Sequence, residues 1–139
     1  KRRLVLAPKG DLKKAFDDFC RVAWLCTNAC IVVEELSQVT SPSWAPAAWK
    51  KLSTAGRHKG LTLIGASQRP AQVDKDFLGN CTEIRCYGLR YETDAKVMAG
   101  VLRVKADDLM DLPQFHYMHR DMYARETVSG VVKVRQKSK

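Results

Sequence analysis

Apolar residues fall into two kinds of run along this chain. Ala29 to Val33 (ACIVV) and Leu61 to Ser67 (LTLIGAS) are short and almost continuously apolar or small, and Arg2 to Ala7 (RRLVLA) and Thr82 to Leu89 (TEIRCYGL) are comparable in length. Such runs predict strands, and strands apolar throughout predict burial on both faces, as in parallel sheets. Elsewhere the apolar positions recur at helical spacing. Leu12, Ala15, Phe16, Phe19, Cys20, Val22, Ala23 and Cys26 follow Asp11, which can cap a helix. Pro46 suits the first turn of a helix running to about Ala55. A short helix is expected within Gln68 to Gly79, another over Thr93 to Leu102, and a third from Ala106 to Leu112, stopped by Pro113. Pro8-Lys9-Gly10 and Gly56 to Gly60 read as turns, and Ser37 to Ala45 as a polar loop. The chain closes with an expected hairpin, Phe115 to Met118 pairing with Met122 to Ala124 or Val131 to Val134, and a basic tail from Lys133 to Lys139.

Strands alternating with helices predict an α/β fold: a parallel sheet with helices on both faces. In such sheets the chemistry gathers just beyond the carboxyl ends of the strands. The 139 residues are enough for one domain with a real core, 1–139, and no apolar run approaches the ~18 residues of a membrane span. The net charge of +9 points to a polyanionic partner, nucleic acid or an anionic membrane surface. The five cysteines form no CxxC pair and sit in or beside apolar runs, which fits free thiols in a reducing cytoplasm better than a metal site.

Two strand ends carry candidate chemistry. Glu34 and Glu35 follow the run 29–33, and Gln68, Arg69 and Pro70 follow the run 61–67. If those strands are neighbours, two carboxylates, an amide and a guanidinium meet at one edge. Apolar residues followed by two acids have the shape of a Walker B motif. One carboxylate can serve a Mg²⁺ shell, since hard oxygen ligands suit Mg²⁺, and the next can orient and polarise an attacking water. An ordinary strand end with solvated acids has the same appearance.

The order of the pieces adds to this. Glu34-Glu35, then Arg57-His58-Lys59-Gly60, the strand Leu61 to Ala66, and Ser67-Gln68-Arg69-Pro70 together resemble the HerA/FtsK superfamily of pumping ATPases. The likeness runs from about Ala29 to Gly100. Within it the layout looks like the genome-packaging ATPases of tailless membrane-containing phages and, next, the Zot-like assembly proteins of filamentous phages. The resemblance implies a RecA-like parallel-sheet P-loop ATPase core of the additional-strand, catalytic-glutamate type, ending in a β-hairpin. It implies roles residue by residue: Glu34, where the family usually has Asp, as the Mg²⁺-associated acid; Glu35 as the water-activating glutamate; Gln68 as the polar sensor of the γ-phosphate; Arg57 as an arginine finger offered to a neighbouring subunit; and Arg69 as a motif residue at the nucleotide site. ATP and Mg²⁺ are the implied cofactors. Double-stranded DNA, a homo-oligomeric ring (hexamer or pentamer) and capsid vertex proteins are the implied partners, in the host cytoplasm or at a virion packaging vertex. Rival readings are a filamentous-phage assembly and export ATPase and a catalytically silent DNA-binding subunit.

The phosphate cradle GxxxxGK[ST] does not occur in these 139 residues. The expectation is a C-terminal part of a RecA-like core with that segment upstream; a cradle built elsewhere and a partner-binding pseudo-ATPase are the alternatives. Ala7-Pro8-Lys9-Gly10 resembles the turn after the family's second strand, and the first residue is Lys1 rather than Met. Lys50, Lys51, His58 and Lys59 are candidate DNA contacts or simply a solvated face. Trp24 and Trp49 fall in helical patterns and are expected in the core, whereas Trp44 lies in the loop with no packing role assigned.

Overall fold

The computed structural model describes residues 4–133, which pack as two compact units, one up to Asn80 and one from Cys81. The expected strand over 2–7 lies outside the described residues at Arg2 and Arg3. From Leu4 to Ala7 the chain forms no strand, and Leu4 and Val5 are more than four-fifths exposed. The tail from Val134 onward lies outside the described residues.

In the first unit, helix α1 (Leu12–Trp24) opens where Asp11 Oδ1 accepts hydrogen bonds from the amides of Lys13 (3.0 Å) and Lys14 (3.1 Å). It ends two residues before the expected Cys26, because the Leu25 amide turns back to the Val22 carbonyl and Asn28 takes a left-handed backbone. Strand β1 (Cys30–Val33) and helix α2 (Ala47–Ala55) follow, then strand β2 (Thr62–Gly65) and the short helix α3 (Lys75–Asn80). Phe16, Cys20 and Ala23 form the buried stripe of α1. Trp49 and Leu52 of α2 are fully buried against it. The Trp49 ring centroid lies 5.4 Å from that of Phe16 and 5.0 Å from that of Phe77, so one aromatic row joins all three helices.

Strands β1 and β2 pair in parallel, with Ile31 opposite Leu63 and Val33 opposite Gly65. Ile31 and Val33 face the helical core. The alternate positions, Val32 and Ile64, are about half exposed. Cover on both faces was expected. Among the described residues only one face of this pair is covered, since α1 and α2 pack on each other beneath Ile31 and Val33.

The second unit holds strand β3 (Glu83–Tyr87), helices α4 (Glu92–Leu102) and α5 (Ala106–Met110), and strands β4 (His116–Asp121) and β5 (Glu126–Val131). Here the expectation needs correcting. Strand β3 does not extend a parallel sheet; it pairs antiparallel with β4, which pairs antiparallel with β5. Only Ile84 and Cys86 of β3 are buried, the alternation of a strand covered on one face. The C-terminal hairpin forms as expected, with shifted bounds. Asp121 Oδ1 accepts from the amides of Tyr123 (2.8 Å) and Ala124 (2.9 Å), which makes 122–125 a turn and starts the second strand at Glu126. Those amide donors hold the Asp121 carboxyl below the usual carboxylate range. The whole is a mixed α/β fold built on a parallel strand pair.

Candidate functional site

Because β1 and β2 are parallel neighbours, the residues after Val33 and after Gly65 emerge at one edge. Glu34 is exposed there and Glu35 half-buried; Gln68 is exposed and Arg69 half-buried. The ladder continues past both strands: the Ala66 amide donates to the Val33 carbonyl (2.9 Å), and the Ala66 carbonyl accepts from the Leu36 amide (2.9 Å). A regular parallel ladder would use the Glu35 amide at that point. One extra residue is therefore inserted, and it is Glu35, whose φ of 52° is left-handed. This is bulge geometry, which turns a side chain out of the pleat and recurs beside active sites. A glutamate in this conformation is strained, costing roughly 1 kcal/mol.

The two segments leaving this edge are stitched together. The Thr40 hydroxyl donates to the Leu36 carbonyl (2.9 Å) and accepts from the Asp74 amide (3.3 Å). Asp74 caps α3, its Oδ1 accepting from the Asp76 amide (3.2 Å). Ser67 Oγ accepts from the Arg69 amide (3.1 Å), and Pro70 begins a single 3₁₀ turn over Pro70–Gln72. Gly65 completes the junction: a Cβ there would lie 2.8 Å from Phe77 Cε1 and 3.0 Å from Leu36 Cδ2. Sequence reasoning missed Thr40, Asp74 and Gly65. Asp74 had a readable signal, an Asp just before a helical stretch; Thr40 had none.

The structure does not bring Arg57 to this edge. Arg57 is exposed in the turn Gly56–Lys59, before β2, and Gly60 closes that turn with φ 70° against Asn28, just before β1. Arg57 thus sits at the amino edge. At about 3.3 Å per residue, four-residue strands separate the two edges by about 13 Å, more than an arginine side chain spans. The lysines divide as well. Lys50 pairs with Asp76 (3.4 Å), whereas Lys51 (4.3 Å) and Lys59 (4.8 Å) both stand over the Trp24 ring, and Lys59 Nζ also donates to the Trp24 carbonyl. His58 is exposed.

Among the described residues no three His, Cys, Asp or Glu side chains group as a metal cage. Nucleotide-bound Mg²⁺ is held by one or two carboxylates together with phosphates and water, so the exposed Glu34 carboxylate fits that donor set without a cage. None of the five cysteines is in a disulfide; burial pushes Cys20 up to about 12 and Cys81 and Cys86 up to about 11. No helix among the described residues is long and apolar enough to cross a membrane.

No protein-family model matches the chain. Over 101 residues it is 29% identical to Protein P9 of Pseudoalteromonas phage PM2, a match covering 70% of this chain and 46% of that protein. Its fold is similar to that of the genome packaging NTPase B204 from Sulfolobus turreted icosahedral virus 2 in complex with ATP-gammaS (TM-score 0.77, 16% identity, 91% of this chain and 66% of that one). It is also similar to the bacterial conjugative coupling protein TrwBdeltaN70 (TM-score 0.69, 13% identity, 88% of this chain and 37% of that one). The chain therefore has the α/β fold of these proteins, the fold class read from its sequence. It spans about half of the phage protein, and no more than about two thirds of either solved structure.

Proposed function

We propose that this chain carries the carboxylate half of an ATP-hydrolysing motor that moves double-stranded DNA in viral genome packaging. The observation that carries this reading is the shared strand edge of Glu34, Glu35 and Gln68, with the bulge at Glu35. It is supported by the likeness to the genome packaging NTPase B204 in complex with ATP-gammaS.

In this reading Glu35 holds the attacking water and takes its proton on the carboxylate, the role for which a positioned base is worth about 10²-fold or more. Glu34 holds the Mg²⁺ shell, directly or through water. Gln68, on the neighbouring strand end, hydrogen-bonds the terminal phosphate and so senses whether it is present, and Arg69 orients the same segment. ATP with Mg²⁺, when bound, supplies the phosphoanhydride that is cleaved. The chain forms the C-terminal part of one RecA-like core, and the loop GxxxxGK[ST] lies on a segment outside these 139 residues. Arg57, at the far edge, serves the nucleotide of a neighbouring subunit, so the working form is a homo-oligomeric ring, a hexamer or pentamer, acting with capsid vertex proteins in the host cytoplasm or at a virion vertex. The +9 charge suits a DNA partner.

The test is ATP hydrolysis with and without duplex DNA, in the polypeptide that joins this chain to its phosphate loop. Duplex should raise the rate; a rate indifferent to duplex contradicts a DNA-driven motor.

A further inference from the structure

Trp44, unlike the buried Trp49, keeps 44% of its surface in water. Its position is nonetheless fixed. Ser41 and Trp44 exchange two backbone hydrogen bonds (2.8 and 3.1 Å) around Pro42 and Ser43, closing a tight turn that holds the indole out. The ring forms one wall of a cleft of about 580 Å³ between α1 and the start of α2. Ala45, Pro46 and Ala47 continue that wall, Lys13, Lys14, Arg21 and Lys50 line the cleft with Asp17 as the one carboxylate, and the Lys13 ammonium stands 5.1 Å from the centre of the indole.

Three of these cations already have carboxylate partners: Lys14 with Asp18, Arg21 with Asp17, and Lys50 with Asp76. Exposed pairs of this kind hold by no more than about 1 kcal/mol, so phosphates can displace them. The cleft thus offers a fixed aromatic face ringed by exchangeable cations. A duplex would use only the charge, because its bases are stacked on each other, and a major groove alone is about 12 Å wide. An unpaired strand uses both, one base on the ring and its phosphates on the cations.

We propose that this cleft binds single-stranded DNA, with a base stacked on Trp44 and the flanking phosphates held by Lys13, Lys14, Arg21 and Lys50. The proposal needs no ATP turnover and stands apart from the carboxylate edge.

The test uses the polypeptide that joins this chain to its phosphate loop, without nucleotide, and follows anisotropy of three labelled probes: an oligo-dT of about 12 nucleotides, within the range one binding site covers, an abasic strand of the same length, and a duplex of that length. Oligo-dT should bind most tightly. Trp44→Ala should weaken it about 5- to 150-fold, the value of one stacked base, and leave the abasic strand unchanged. Trp44→Phe should restore most of the loss. Lys13→Ala with Lys50→Ala should lower the salt dependence of log K by about 1.4, two phosphate contacts at about 0.7 each. The proposal fails if Trp44→Ala leaves oligo-dT binding intact or weakens all three probes alike. It fails equally if duplex binds as tightly through the same residues, or if poly-glutamate of equal charge competes as well as oligo-dT.

Discussion

The amide of Leu36 donates to the carbonyl of Ala66 at 2.9 Å, one position later than a regular parallel ladder allows. Glu35 is the residue skipped, and its left-handed backbone makes the skip possible. Strain of this kind persists where the surroundings enforce it and is common at working sites. Glycine adopts such a backbone without penalty, though it costs more entropy on folding. Glu35→Gly should therefore lose no stability in urea unfolding and gain up to about 1 kcal/mol, whereas β-branched Glu35→Val should lose stability. A clearly weaker glycine variant would contradict the strained bulge.

Gly65 stands opposite Val33, where the edge begins, and has no room for a methyl group beside Phe77 and Leu36. Gly65→Ala should cost about 1–3 kcal/mol by overpacking. Adding Phe77→Leu should return part of that loss, measurable as a coupling in a double-mutant cycle. Additive losses would mean that the two side chains do not share the space.

Much of the edge was legible because continuous apolar runs ending in charged or amide residues mark parallel strands, and ACIVV and LTLIG do pair in parallel, though with cover on one face only. The geometry at Glu35 was not legible, since nothing in an acidic pair announces a left-handed residue. Nor was the Thr40–Asp74 link, a contact between residues far apart in sequence whose energy depends only on the folded path. The misplacement of β3 is different: its alternation of Glu83, Arg85 and Tyr87 with Ile84 and Cys86 was visible and is the pattern of a one-faced strand. The alternation of strands with helices along the chain pointed the other way, to one parallel sheet. Trp24 packs against the core as its helical spacing implied, but only in part, and two lysines stand over the rest of its ring.

Three thiols bear on the pH range. Burial favours their neutral form, placing Cys20 near 12 and Cys81 and Cys86 near 11 against an ordinary value of 9.0. In the unfolded chain they ionise first, so the unfolded state gains as pH passes 9 and the folded state catches up only near 11 to 12. Their contribution is complete below pH 9 and is lost between about pH 9 and 12. Unfolding midpoints should fall across that window, and the Cys20→Ser variant, compared with the parent, should show a shallower fall. An identical fall in both would remove Cys20 from the account.

Arg57 lies at the amino edge, away from Glu34, Glu35 and Gln68. If it serves a neighbour, rings of Arg57→Ala subunits and rings of Glu35→Gln subunits should each be inactive. Mixed rings should regain hydrolysis at junctions where an intact acid site meets an intact arginine. Mixed rings that form yet hydrolyse no more ATP than either variant alone would rule out a role across the interface.

The most direct measurement is ATP binding and turnover by Glu35→Gln, in the polypeptide that joins this chain to its phosphate loop. The substitution keeps size and polarity and removes only the base. Nucleotide affinity should stay within a few-fold of the parent while hydrolysis falls about 10²-fold or more. Hydrolysis near the parent rate, with binding unchanged, would contradict Glu35 as the group that activates water.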